Sequence, residues 1–170
     1  MSRLLTRALL AALVLSSVTG CGYTFMGNLP DHLKTVSVPV FKNSSNESGA
    51  ESTITAGVIN AFTTNGRLRV VPIDRADSVL EGEITSYTVQ SLTYDSNLNL
   101  RSYMLTVSMN VRFRDLKKSE LLWQQSGLTE QVPFDVAGQV SDTISREEGA
   151  VKQAALQIGQ RVVNHAIDRF

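Results

Sequence analysis

Thiol and imidazole groups are scarce in this sequence: one cysteine, Cys21, and two histidines, His32 and His165. A single thiol forms no disulfide within the chain. It is a small buried side chain, a metal ligand, a nucleophile or an attachment point. Charge of one sign is also missing: Lys plus Arg and Asp plus Glu both number 16. The lack of a basic excess argues against binding driven by neutralisation of nucleic-acid phosphates, which needs a basic face. After residue 21 there is no charge-free apolar run of 18 residues, so the body of the chain crosses no membrane as a helix. No G-x-S-x-G sequence and no phosphate-cradling glycine loop occurs. What is present suits one packed domain: 42% of the residues are hydrophobic and 19% charged, over 170 residues.

The first twenty residues are unlike the rest. Arg3 and Arg7 precede the apolar stretch Ala8–Leu15, and short residues follow from Ser16 to Gly20. This three-part order is that of a secretory signal peptide, and it sets residues 1–20 apart from a single domain over 21–170. Val18-Thr19-Gly20-Cys21 resembles the lipobox of bacterial lipoproteins. That resemblance implies a thioether-linked lipid on Cys21, which becomes the first residue after cleavage. Loss of Arg3 and Arg7 leaves 14 basic against 16 acidic side chains. One acyl chain holds a protein marginally, whereas two or more anchor it firmly. Gly22, where a retained lipoprotein commonly has Asp, fits delivery to the outer membrane.

Hydrophobic periodicity then orders the chain. Residues 22–32 form a short aperiodic lead-in. Thr35–Phe41 alternates, with Val36, Val38 and Val40 on one side; Pro39 removes a ladder donor, which predicts an edge strand or a bulge. Asn43–Gly49 is a polar loop. Residues 50–64 predict a helix with Ile54, Val58, Ala61 and Phe62 on one face and a stop at Asn65-Gly66. Gly57 inside it costs about 1 kcal/mol against Ala and predicts close packing on a neighbour. Arg67–Ile73 is a short extended piece. Val79–Leu92 reads as a strand whose apolar phase slips between Ile84 and Tyr87, predicting a bulge near Thr85–Ser86. From Tyr103 to Phe113 every odd residue is apolar, the pattern of a long strand with one buried face. A turn over Asp115–Glu120 and a strand over Leu121–Glu130 follow. The last element is a helix, capped by Ser145 with Glu148. It carries one stripe of Val151, Ala154, Ala155, Ile158 and Val162, and a second of Leu156, Val163, Ile167 and Phe170. The second stripe faces either a neighbouring helix, the simpler reading, or a partner protein. The order strand, helix, strands, helix with sequential hairpins predicts a two-layer α+β fold, a mostly antiparallel or mixed sheet with two helices on one face.

The sequence offers little chemistry. With Cys21 acylated, no Cys/His metal cluster can form, and no cofactor is expected. Glu147 and Glu148 are neighbours on a helix and point apart. Glu81 and Glu83 share one side of a strand, where a solvated face is the ordinary arrangement. His165 reads as a surface or half-buried side chain. A catalytic site is therefore not expected, and a hydrolase built from distant residues ranks third among the readings. The side of the long strand away from the core carries Ser102, Thr106, Ser108 and Asn110, a polar face with little charge before Arg112. It suits a protein contact or a plain sheet surface.

CGYTF after the lipobox, VSVPVFKN, ESTITAGVINAF, NGRLRVV, ADSVLEGEITSY and RDLKKSELLWQ occur in that order over residues 21–130. Together they resemble the LptE family, the lipoprotein component of lipopolysaccharide export at the outer membrane. The resemblance implies a small sheet with two helices, seated as a plug inside an LptD-type β-barrel that it helps to assemble. It also implies binding of lipopolysaccharide without turnover. Members of the family use basic side chains near the turn between the long strands and before the last helix. Here that turn, Tyr94–Ser102, holds Arg101 opposed by Asp95, and Phe134–Asp142 holds no base. The resemblance therefore carries over to Arg101 alone as a lipopolysaccharide contact. Arg112, Arg114, Lys117 and Lys118 cluster at the other end and read as a solvated turn. The competing function is another envelope lipoprotein adaptor, such as a secretion pilot or scaffold.

Overall fold

Leu105, Val107, Met109, Val111 and Phe113 are each at most 1% exposed, so the odd-residue stripe does face a dry core. The computed structural model describes residues 29–94, 96–97, 99–136 and 139–168, with the backbone alone for Asp168. The signal segment 1–20, Cys21, the first residues of the lead-in, Asp95 and Phe170 lie outside these. In chain order the elements are β1 (Thr35–Ser37), β2 (Lys42–Asn43), α1 (Ala50–Asn65), β3 (Arg69–Val70), a 3-10 turn (Ile73–Arg75), β4 (Ser78–Tyr94), β5 (Leu100–Asp115), β6 (Glu120–Asp135) and α2 (Val140–Asp168). The sheet runs β3-β1-β4-β5-β6, with β2 also paired to β4. β4, β5 and β6 are antiparallel; β1, β2 and β3 join in parallel. The fold is α+β, and both helices lie on the face that β5 buries.

The predicted bulge is present. Ile84 pairs with Met109 and Ser86 with Ser108, so Thr85 is the extra residue. Beyond it the inward side changes from even to odd numbers, and Tyr87 rather than Ser86 faces the helices. A second irregularity lies in β6, where Gly127 takes φ 66° and its N–H donates to Asn110 Oδ1 at 3.0 Å. A left-handed residue at a bulge favours glycine.

Several expectations are corrected. β1 ends at Ser37, before Pro39, and lies between β3 and β4 rather than at an edge. Val40 is 68% exposed, so it does not share a buried side with Val36 and Val38. The chain steps outward at Pro39 and returns with Phe41, whose N–H donates to Thr55 Oγ1 at 3.0 Å and whose ring lies against Gly82. β6 continues past Glu130 to Asp135; Pro133 is tolerated because β6 is an edge strand. α2 begins at Val140, so Ser145 is inside the helix and donates to Ser141 C=O at 3.1 Å instead of capping. In its second stripe, Val163 and Ile167 are buried in the same core and Leu156 is exposed. Val163 and Ile167 therefore belong to the core and not to an open surface.

The two helices touch through small residues. A Cβ on Gly57 would lie 2.6 Å from Ala155 Cβ and 2.7 Å from its backbone, and one on Gly159 would lie 2.8 Å from Gly57 C=O. α1 ends as predicted, with Gly66 at φ 73° donating its N–H to Phe62 C=O.

Where the chain enters the sheet, a polar corner fixes it. Asp77 Oδ2 accepts from the N–H groups of Lys34 and Thr35 at 2.9 and 3.0 Å and from Thr35 Oγ1 at 2.9 Å. Its other oxygen meets Lys117 Nζ at 2.6 Å. Lys117 and these N–H groups hold the Asp77 carboxyl far below the usual carboxylate range. Beside it, His32 Nε2 contacts Asp115 Oδ2. Burial alone would raise the Asp115 carboxyl, but His32 and the N–H groups of Lys117 and Lys118 outweigh it and keep it low.

Two measurements check this packing. Gly57→Ala should lose about 1–3 kcal/mol despite its better helix propensity, because the clash is with backbone. Gly149→Ala, in open space on α2, should gain up to about 1 kcal/mol; thermal melts of both report the difference. Asp77 contributes stability above its unfolded pKa of about 4, and that contribution is lost as pH falls through its lower folded pKa. Asp77→Asn should thus cost about 2 kcal/mol at pH 7. Its melting temperature should also fall less than wild type between pH 5 and 2.

Candidate functional site

Among the described residues no group of three His, Cys, Asp or Glu side chains could hold a metal ion. The titratable groups that sequence singled out are committed elsewhere. His165 stacks on Trp123, ring centroids 5.6 Å apart and 12° from parallel. Glu83 Oε1 accepts from Lys42 Nζ at 2.9 Å and from Ser44 Oγ at 2.7 Å. Ser44 first, then Lys42, keep its carboxyl below the usual range. Glu81 lies opposite Arg112 in the β4–β5 register. The two carboxylates are therefore salt-bridging or cross-strand groups, not an acid and base about one substrate. Glu147 accepts from Tyr87 OH at 2.8 Å at the edge of a cleft of about 420 Å³ between the starts of α1 and α2. Burial and then Glu147 push the Tyr87 hydroxyl up, so it stays a neutral donor. A second inward carboxylate, Glu130, meets Arg161 of α2 at 2.7 Å and ties the helix to β6. No nucleophile, base and oxyanion donor converge among the described residues.

The open face of the sheet is the larger feature. Cross-strand rows place Ser86, Ser108 and Thr129 together, then Thr88, Thr106 and Gln131, then Gln90, Met104 and Pro133. Ser108 and Thr129 hydroxyls are 3.0 Å apart, and Gln131 Nε2 donates to Thr106 Oγ1 at 3.5 Å. These rows carry no charge. Charges bound the face at its ends, with Glu81, Glu83 and Arg112 at one and Arg101 and Asp135 at the other. Both helices lie on the opposite side, so no described element covers this face. Ser102, expected in the same set, is 7% exposed and bonded to Thr93.

Beyond Tyr87, β4 is exposed on all residues to Tyr94, with Val89 37%, Leu92 45% and Tyr94 58% accessible. Arg101 is exposed near the tip of this hairpin, and its C=O accepts the Val136 N–H at 2.9 Å. One basic residue at this end escaped sequence reasoning. Arg146 reaches Asp135 at 3.9 Å, and Asp135 pairs with Ser102 beside Arg101. The expected helix start at Ser145 hid it; a start at Val140 puts Arg146 in the second turn, over the end of β6. Cys21 lies outside the described residues.

Comparisons agree with this architecture. A lipoprotein from Caulobacter crescentus superposes with a TM-score of 0.52 at 12% identity, covering 75% of this chain and 87% of its own. A dodecameric PelC variant from Paraburkholderia phytofirmans gives 0.50 at 12% identity, covering 83% and 93%. The rare lipoprotein B from Shewanella oneidensis gives 0.48 at 19% identity, covering 74% and 91%. At these identities the likeness to the first two is one of fold. No curated protein matches the sequence. The model of the lipopolysaccharide-assembly family LptE matches residues 33–166. The chain thus belongs to the LptE family of outer-membrane lipopolysaccharide-assembly lipoproteins.

Proposed function

We propose that this chain, cleaved before Cys21 and acylated there, is a non-enzymatic plug. It sits inside an LptD-type β-barrel in the outer membrane, helps that barrel assemble, and assists insertion of lipopolysaccharide into the outer leaflet. The observation that carries this reading is the uncovered, uncharged hydroxyl and amide face on β4, β5 and β6. The interior wall of a membrane β-barrel is polar, and such a face exchanges hydrogen bonds with it without burying charge.

Length supports the same reading. β5 has 16 residues, which at about 3.3 Å each span roughly 50 Å. A bilayer with its headgroup regions is about 40–45 Å thick. A sheet of this length, set along the barrel axis, reaches from one membrane surface to the other. In that setting Arg101 is the residue at the hairpin tip assigned to lipopolysaccharide phosphate, with Arg146 beside it as a second base. The planar guanidinium suits bidentate binding of phosphate oxygens. Two clusters of bound charge, Asp77–Lys117 and His32–Asp115, lie at the opposite end and leave the tip free of them.

Two experiments test the reading. Intact-mass analysis of the chain from outer membranes should show an N-terminus at Cys21 carrying several acyl chains; an unmodified mature chain contradicts the anchor. A photo-reactive residue at position 101 should capture lipopolysaccharide, and affinity purification in mild detergent should recover one large barrel protein. Recovery of a secretion channel, or of no barrel, points instead to an adaptor of another system.

A further inference from the structure

The end of the sheet opposite the hairpin tip carries a charge pattern that the plug reading does not use. Segments 29–37, 67–79 and 114–121 converge there: β1 and β3 start side by side, Ser78 pairs with Asp115, and His32 contacts Asp115. Together they hold seven basic and five acidic side chains, while the rest of residues 21–170 holds seven basic and eleven acidic. Residues 21–170, acidic in sum, are therefore basic at this end. Three of the five carboxylates there are occupied: Asp77 by Lys117, Asp115 by His32 and Asp74 by Arg75. Lys34, Arg67, Arg69, Arg114 and Lys118 are exposed, and among the described residues none lies within 4.0 Å of a carboxylate.

The same end is the one tied to the N-terminal segment. Leu33 is 1% exposed in the core, and Asp77 and Asp115 clamp residues 32–35 beside the β5–β6 turn. Cys21 stands eight residues before Leu29. Eight residues reach about 30 Å at most. The hairpin tip is roughly 50 Å away along β5. Cys21 is thus tethered from this end of the sheet and cannot reach the tip.

We propose that the end of the sheet bearing Lys34, Arg67, Arg69, Arg114 and Lys118 rests on anionic phospholipid headgroups of the leaflet that holds the acyl anchor. This rests on acylation of Cys21. The acyl chains supply the affinity. The basic end supplies orientation, holding the turn at the headgroups and the long strands away from them. Each basic side chain near an anionic surface strengthens contact about fivefold, and the effect fades within a Debye length.

The test uses the intact acylated chain in vesicles of phosphatidylethanolamine with or without phosphatidylglycerol, containing a headgroup-linked nitroxide. With Cys21 acylated, an introduced cysteine is the one free thiol for a fluorophore, placed at Ser119 in the turn or at Ser96 near the tip. Quenching at 119 should require phosphatidylglycerol, vanish in 1 M salt and exceed quenching at 96. Arg114→Ala with Lys118→Ala should weaken the contact equilibrium about 25-fold, with an unchanged thermal melt showing that the fold is intact. Equal quenching with and without phosphatidylglycerol overturns the proposal, as does contact at 119 only when lipopolysaccharide or the barrel partner is added. Mass analysis of the same sample separates the two readings. An unacylated chain removes the anchor and the proposal with it, whereas an acylated chain without lipid-dependent quenching removes the proposal alone.

Discussion

β5 is the element to which the rest of the structure adjusts. It is hydrogen-bonded on both sides over nearly its whole length, and its five central inward side chains are fully dry. Each such side chain contributes about 1.5–3 kcal/mol of burial. A slip of one residue would turn all of them to solvent, so its phase is rigidly held. From Ser102 to Asp115 the irregularities fall on its neighbours. Thr85 and Leu92 are the extra residues in β4, and Leu122 and the Ser126-Gly127 pair are those in β6. The bulges let β4 and β6 change phase while β5 does not. They also decide which side chains of those strands reach the helices, Tyr87 among them, and which build the open polar face.

This explains what sequence made legible. The unbroken alternation of β5 could be read directly, and so could the compensating slip at Thr85, because both are local. The Asn65-Gly66 stop and the close contact at Gly57 were also legible, since each needs a residue with no Cβ. Long-range pairing was not. β1 is three residues long and owes its central place to parallel partners 34 and 42 positions away, Arg69 and Ser78. Pro39 suggested an edge, but the strand simply stops before it. Pro133 obscured the true length of β6, whose edge position is a tertiary fact. Ser145 and Glu148 looked like a cap because a helix-internal Ser and a capping Ser differ only in where the helix starts. The same displacement hid Arg146. Of the candidate site, the polar face and Arg101 were visible in sequence, and the base beside Asp135 was not.

The chemistry follows from the distribution of these groups. Carboxylates and bases are spent on holding elements together: Asp77 and Asp115 at the chain's entry into the sheet, Glu130 and Arg161 between β6 and α2, Tyr87 and Glu147 between β4 and α2. Of these, Tyr87 and Glu147 border a cleft, where the hydroxyl is a neutral donor to the carboxylate. The largest surfaces besides these are an uncharged face in the middle of the sheet and a basic end beside the β5–β6 turn. That division suits a scaffold that presents surfaces to a barrel and a lipid, and it agrees with membership in a lipopolysaccharide-assembly family.

The central claim is that the open polar face lies against a barrel wall. The most direct measurement is the reactivity of single cysteines at Thr88, Thr106 and Gln131 toward a small water-soluble maleimide, in the purified chain and in native outer membranes. Strong labelling of the purified chain and shielding at all three positions in membranes, with Ser96 at the tip labelled in both, is the predicted result. Equal labelling of the face in both settings contradicts the account.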